Sequence, residues 1–144
     1  MNNVKNHPKA KGEKTQLIVL AKLVSLDYIV LSPYGDNQRY DFAIDLGDRF
    51  VRLQCKTGKL SKIGAITFNV CSTQSNTKGH KSRSYHGEID GFIVYCPDND
   101  KVYIVPIAKV GIRAFSLRVN PPKKKQNNIN WAIDYELKAD GLGL

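Results

Sequence analysis

RYDFAIDLGDRFVRLQCKTG, residues 39–58, holds two alternating runs around a single Gly-Asp dipeptide. In residues 39–46, Tyr40, Phe42, Ile44 and Leu46 fall on one side, and Asp41, Ala43 and Asp45 on the other. In residues 49–56, Val51, Leu53 and Cys55 oppose Arg52, Gln54 and Lys56. A period of two is that of a strand with one buried face. Gly47-Asp48 suits a two-residue turn of type II′, because Gly supplies the positive φ at its first central position. A turn there pairs Leu46 with Arg49, Ile44 with Val51 and Phe42 with Leu53, so apolar side chains meet on one face. The same register sets Asp41 across from Gln54, with Lys56 two residues on. A one-residue slip destroys the apolar pairing and the polar cluster together.

One carboxylate, one amide oxygen and one ammonium at the end of a hairpin have two readings. Hard oxygen ligands suit Mg²⁺, which keeps several waters and takes one or two carboxylates plus substrate phosphate. A neighbouring Lys can orient a water and offset charge developing on phosphorus. Equally, Asp41 and Lys56 can form a plain ion pair on a solvated sheet face. Spacing alone does not choose between them.

Upstream of the hairpin, Leu17, Leu20, Ala21 and Val24 recur at three- and four-residue steps, which predicts an amphipathic helix from Lys9 to about Leu26. Stepping back by four from Leu17 reaches Glu13, which either joins the core-facing side or simply complements the helix N-terminus. Residues 1–8 read as a polar, flexible start ending at Pro8. Tyr28 to Leu31 is a short strand, closed by the turn cluster of residues 32–37.

Downstream, residues 65–71, 90–96 and 101–107 read as strands. Residues 72–88 are polar and basic without a period and read as a long surface loop, a length that is uncommon unless functional or disordered. Lys78, Lys81 and Arg83 supply charge there, and Ser82, Ser84 and Tyr85 supply donors, for phosphate or base contacts. His80 and His86 share the loop but lack a third metal ligand at suitable spacing. Lys59 and Lys62 follow the Lys56 strand, where a phosphate backbone would pass. Ile107 to Phe115 reads as a short helix, residues 121–125 as a turn or exposed basic tract, and Ile129 to Lys138 as a closing helix with Trp131 and Tyr135 in the core or at an interface.

The chain has 144 residues, enough for one domain, with 42% hydrophobic and 24% charged residues, so it folds around its own core. The 22 Lys and Arg against 13 Asp and Glu give a formal charge of +9, which favours a polyanionic partner through counterion release. No apolar run approaches the ~20 residues of a membrane span, and no basic amphipathic helix with aromatic anchors points to a membrane surface. The N-terminus lacks the apolar core of a signal peptide. Three widely spaced cysteines, Cys55, Cys71 and Cys96, form neither a disulfide framework nor a zinc ribbon and fit a reducing, cytoplasmic setting.

Glu13 beside Gly12, Asp41 on one strand and Gln54-Cys55-Lys56 on the next resemble the PD-(D/E)XK nuclease superfamily. Within it, Tyr34 to Asp41, Gln54 to Gly58, Ile89 to Phe92, Val102 to Pro106 and Asn127-Asn128 resemble the cyanobacterial-type group I intron-encoded homing endonucleases. The resemblance implies an α/β fold, a single domain over residues 1–144 with a central mixed β-sheet flanked by helices in αβββαβ order. It implies Mg²⁺ or Mn²⁺ on Asp41, Gln54 and the main-chain oxygen of Cys55. Lys56 would position the attacking water, and Glu13 would hold a second metal or an outer water. It further implies cleavage of double-stranded DNA by a homodimer or homotetramer. Tyr40 stands where the general motif has Pro, and Gln54 where it has an acid, so the site carries one negative charge fewer. No crossover helix is visible after the fourth strand. The rival readings are a Holliday-junction resolvase and a basic nucleic-acid-binding module whose nuclease fold is inactive.

Overall fold

In the computed structural model, which describes residues 7–144, the 39–58 hairpin forms in the register its alternation demands. A helix, α1 (Pro8–Ser25), leads into β1 (Ile29–Leu31), β2 (Phe42–Asp45) and β3 (Phe50–Thr57). Phe42 pairs with Leu53 and Ile44 with Val51, the Leu46 N–H closes on the Arg49 carbonyl at 2.9 Å, and Gly47 takes a φ of 90°. All six of the apolar residues Phe42, Ile44, Val51, Leu53, Cys55 and Ile93 are buried together beneath α1. Of the expected flexible start, residues 1–6 lie outside the described ones; His7 caps α1 and Pro8 opens it, the position where a missing N–H costs nothing.

The helix is where its period predicts, yet it turns another face to the sheet. Thr15, Val19 and Leu23 are buried, whereas Leu17 and Val24 are exposed. Thr15 anchors this rotation by a 2.7 Å hydroxyl–hydroxyl bond to Thr57 at the end of β3.

After β3 the chain makes β4 (Lys59–Leu60), β5 (Ala65–Asn69), β6 (Cys71–Asn76) and β7 (Gly79–Ser84), then β8 (Gly91–Cys96) and β9 (Lys101–Pro106). β8 pairs parallel to β3, and the central sheet runs β1-β2-β3-β8-β9, antiparallel elsewhere. The β3–β8 crossover is thus built of strands, and α1 is the one α-helix among the described residues. β4 and β5 join β10 (Ala114–Arg118) in a three-stranded sheet whose apolar face, with Ile66, Phe68, Phe115 and Leu117, covers the second side of the central sheet over Phe92, Val94 and Val105. At the β3–β4 junction the two sheets come so close that a Cβ on Gly58 would lie 2.7 Å from Ile66 Cγ2.

Three expectations are corrected. Residues 72–88 are not a loop: β6 and β7 form an antiparallel arm, because Ser, Thr and alternating polar residues can ladder without an apolar face. Residues 107–115 hold only a 3-10 turn, Ile107–Lys109, before β10. The closing helix is a 3-10 turn, Ala132–Tyr135, because neighbouring backbone is drawn into bridges, Trp131 with Arg118 and Glu136 with Tyr103. Trp131 and Tyr135 are half-buried there.

Candidate active site

Asp41 sits just before β2, where its N–H turns to the Leu53 carbonyl (2.9 Å) and leaves the regular ladder. That bend aims the carboxylate at β3: Oδ2 accepts the Cys55 backbone N–H at 2.9 Å. Oδ1 accepts from Gln16 Nε2 at 3.0 Å. Gln16 was not among the residues singled out in the sequence. No sequence pattern marks it: its place follows from the rotation of α1 that the Thr15–Thr57 bond sets. Burial raises the Asp41 pKa above the ordinary aspartate value, against the opposing pull of the Cys55 N–H and of Lys56.

Lys56 is half-buried on the same end of β3. Its Nζ donates to the Cys71 carbonyl at 3.3 Å and lies 4.9 Å from the centroid of the Tyr85 ring. Burial lowers its pKa; Cys71 and Asp41 oppose the shift and Arg39 adds to it. Lys56 and Asp41 feel each other's charge, yet the ion pairs among the described residues, Arg39–Glu88, Arg52–Asp90, Arg83–Glu88 and Lys101–Glu136, include neither. Each is held by its own partners. The plain Asp–Lys ion pair is therefore not what this cluster is.

Gln54 stands beside them, half-buried, in parallel register with Phe92. Cys55 is buried, with its thiol pKa pushed well up by burial and by Asp41, so its side chain is a small apolar group rather than a ligand. Glu13 is exposed. It lines a groove of about 370 Å³ with Gln16 and Leu17, next to a groove of about 330 Å³ that Gln16 shares with Asp41, Tyr40 and Asp36. Gln16, not Glu13, is the helix residue that touches Asp41. A larger hollow of about 620 Å³, between Ile104 and the C-terminal Leu142, contains none of these groups.

Lys59, Lys62, Lys78, Lys81 and Arg83 are exposed, as a phosphate-contacting set must be. Tyr85 is not: it is 5% exposed, and its ring packs edge-on against Phe92, 5.6 Å between centroids. It is a pedestal instead, with the Arg39 guanidinium 4.0 Å over the ring. Arg39 in turn pairs with Glu88 and donates to Ser72 Oγ (2.8 Å) and the Ser84 carbonyl (2.9 Å).

The Asp41 carboxylate, the Gln54 amide oxygen and the Cys55 carbonyl are hard oxygens, the donor type a hard divalent cation could take with water and phosphate completing its shell. Among the described residues no group of three or more His, Cys, Asp or Glu is placed to hold a metal ion, at this end of β3 or elsewhere.

With helix, bent strand and Lys56 strand disposed in this way, the fold is that of a PD-(D/E)XK nuclease. The family model for PD-(D/E)XK endonucleases matches residues 6–138, and the chain belongs to that family. Among solved structures it is similar to "The structure of a bacterial homing endonuclease: I-Ssp6803I", at a TM-score of 0.75 and 20% identity, over 91% of this chain and 89% of that one. No curated protein matches its sequence. No helix among the described residues is long and apolar enough to cross a membrane.

Proposed function

We propose that this chain is a divalent-metal-dependent endonuclease that hydrolyses phosphodiester bonds in double-stranded DNA, inside the cell and at specific sites, in the manner of a homing enzyme. The observation that carries the reading is that Asp41 and Lys56 converge at one end of β3 while each is held by separate partners. Asp41, Gln54 and the Cys55 carbonyl would hold the cation, Mg²⁺ or Mn²⁺, with Glu13 bearing on an outer water. The bound cation supplies positive charge to the phosphate and makes water a better nucleophile. The Gln16 and Cys55 donors fix the carboxylate plane and leave its remaining lone pairs free. Lys56 spends one of three N–H donors on Cys71. The other two can hold the attacking water in line with the leaving oxygen and stabilise charge on phosphorus. Lys59 and Lys62 would track the phosphate backbone.

One site cuts one strand, so a duplex cut needs two sites, and a symmetric homodimer or homotetramer supplies them. The test is cleavage of a duplex library and of four-way junctions in Mg²⁺. Asp41→Ala and Lys56→Ala are each expected to slow cutting by about a thousandfold while DNA binding persists. Full activity in either variant refutes the site; preference for junctions over duplex makes the chain a resolvase; binding without cutting on every substrate makes it a binding module.

A further inference from the structure

Beyond Cys71 at its root, the β6–β7 arm adds no core to the molecule. Every residue from Thr73 to Ser84 is exposed, on both faces of the ribbon. A polar two-stranded ribbon is marginal on its own. This one is fixed at its root, by Arg39 on Ser72 and Ser84, by Arg83 on Glu88 and by Lys56 on the Cys71 carbonyl.

Its two faces differ. Cross-strand register pairs Ser72 with Arg83 and Gln74 with Lys81 on one face. The other carries Thr73, Ser75, His80 and Ser82, of which Ser75 and His80 bond to each other at 2.7 Å. Asn76 is occupied in the turn, accepting the Lys78 N–H. Gln74 and Lys81 have no hydrogen-bond or ion-pair partner among the described residues. Ser72 and Arg83 meet Arg39 and Glu88, so the Gln74–Lys81 face is the one that continues from Arg39, two residues before Asp41.

We propose that this arm enters the major groove of B-form DNA with its Gln74–Lys81 face on the base edges, reading sequence beside the phosphate that reacts at the Asp41–Lys56 site; the proposal rests on the duplex-cleaving reading above. Two strands about 4.8 Å apart fit a groove about 12 Å wide, which admits a two-stranded ribbon. Six residues per strand reach about 17 Å, or about five base pairs. Gln matches the N6 and N7 edge of adenine and Lys the O6 and N7 edge of guanine. A ribbon bound only to phosphates would need the cations but not Gln74.

The experiment selects bound sequences from a randomised duplex library with the full chain carrying Asp41→Asn, in chelator so that nothing is cut. It is repeated with Gln74→Ala and Lys81→Ala added, after thermal melts confirm an unchanged fold. Base reading gives one enriched sequence. The arm variants lose preference at a single block of about five adjacent base pairs, and affinity for the selected site falls at least about tenfold. Methylation of guanine N7 in that block inhibits binding. Uniform weakening over all sequences, an unchanged selection, or no enriched sequence overturns the proposal. If the arm variants change the selection yet wild type in Mg²⁺ leaves the selected duplex intact, the cleavage reading fails and the arm's role stands.

Discussion

Asp41 and Lys56 are both shifted toward neutrality, although opposite charges side by side ordinarily hold each other ionised. Burial outweighs their attraction. The folded Asp41 holds its proton more tightly than the unfolded chain does, so its contribution to stability is greatest below the unfolded pKa of about 3.9 and is lost as pH rises through the folded value. Asp41→Asn removes that dependence and keeps an acceptor for the Cys55 N–H. Urea unfolding of metal-free protein from pH 3 to pH 7 is expected to show the wild type losing ground to Asp41→Asn as pH rises. Mg²⁺ should reverse the trend at neutral pH by binding the native carboxylate. A gap independent of pH contradicts the burial of this charge. Legibility at this scale was uneven. That Gln54 and Lys56 share a face was readable from the period-two pattern, and so was Asp41's place at their end of the hairpin. Its departure from the ladder was not, which turns its carboxylate to the Cys55 N–H instead of setting it across from Gln54. Gln16 was not readable either, since its partner comes from the rotation of a helix 25 residues away.

At the scale of elements, Arg39 ties the arm to the body through Glu88, Ser72 and Ser84, and its guanidinium is stacked on the Tyr85 ring that Lys56 also meets. Arg39→Ala is expected to speed amide exchange in β6 and β7 on the order of tenfold relative to β8, the effect of losing anchoring hydrogen bonds worth about 1 kcal/mol. Exchange in the arm equal to wild type would show that Arg39 does not hold it. The hairpin β2–β3 was legible because apolar alternation admits one register only. Helix α1 was placed but misoriented: it carries apolar residues on more than one side, and the buried stripe includes Thr15, which no apolar period counts. The arm escaped because an all-polar ribbon has no alternation to read; its one turn signal is Gly79, at a φ of 123°. The closing segment has helix-forming residues, but sheet bridges claim its backbone.

At the scale of the whole molecule, two cores lie on either side of one sheet, and the site opens at the end where α1, β3 and the arm meet. The proposed assembly, with one site per subunit, makes a specific demand on mixed assemblies. Subunits of wild type and Asp41→Ala, co-expressed and purified together through different tags, are expected to nick a selected duplex in one strand, where wild type makes a double-strand cut. A full double-strand cut by the mixed assembly would contradict one strand per site. The arm carries a different consequence. Because residues 73–84 give neither core a side chain, substitutions there cost little folding stability, whereas nearly any change at Val51, Leu53 or Phe92 is felt throughout. Variation in such a chain can accumulate on the ribbon while the sheet stays fixed. With the ribbon reading bases as proposed, a lineage built this way can wander from one target to another without first surviving an unstable intermediate.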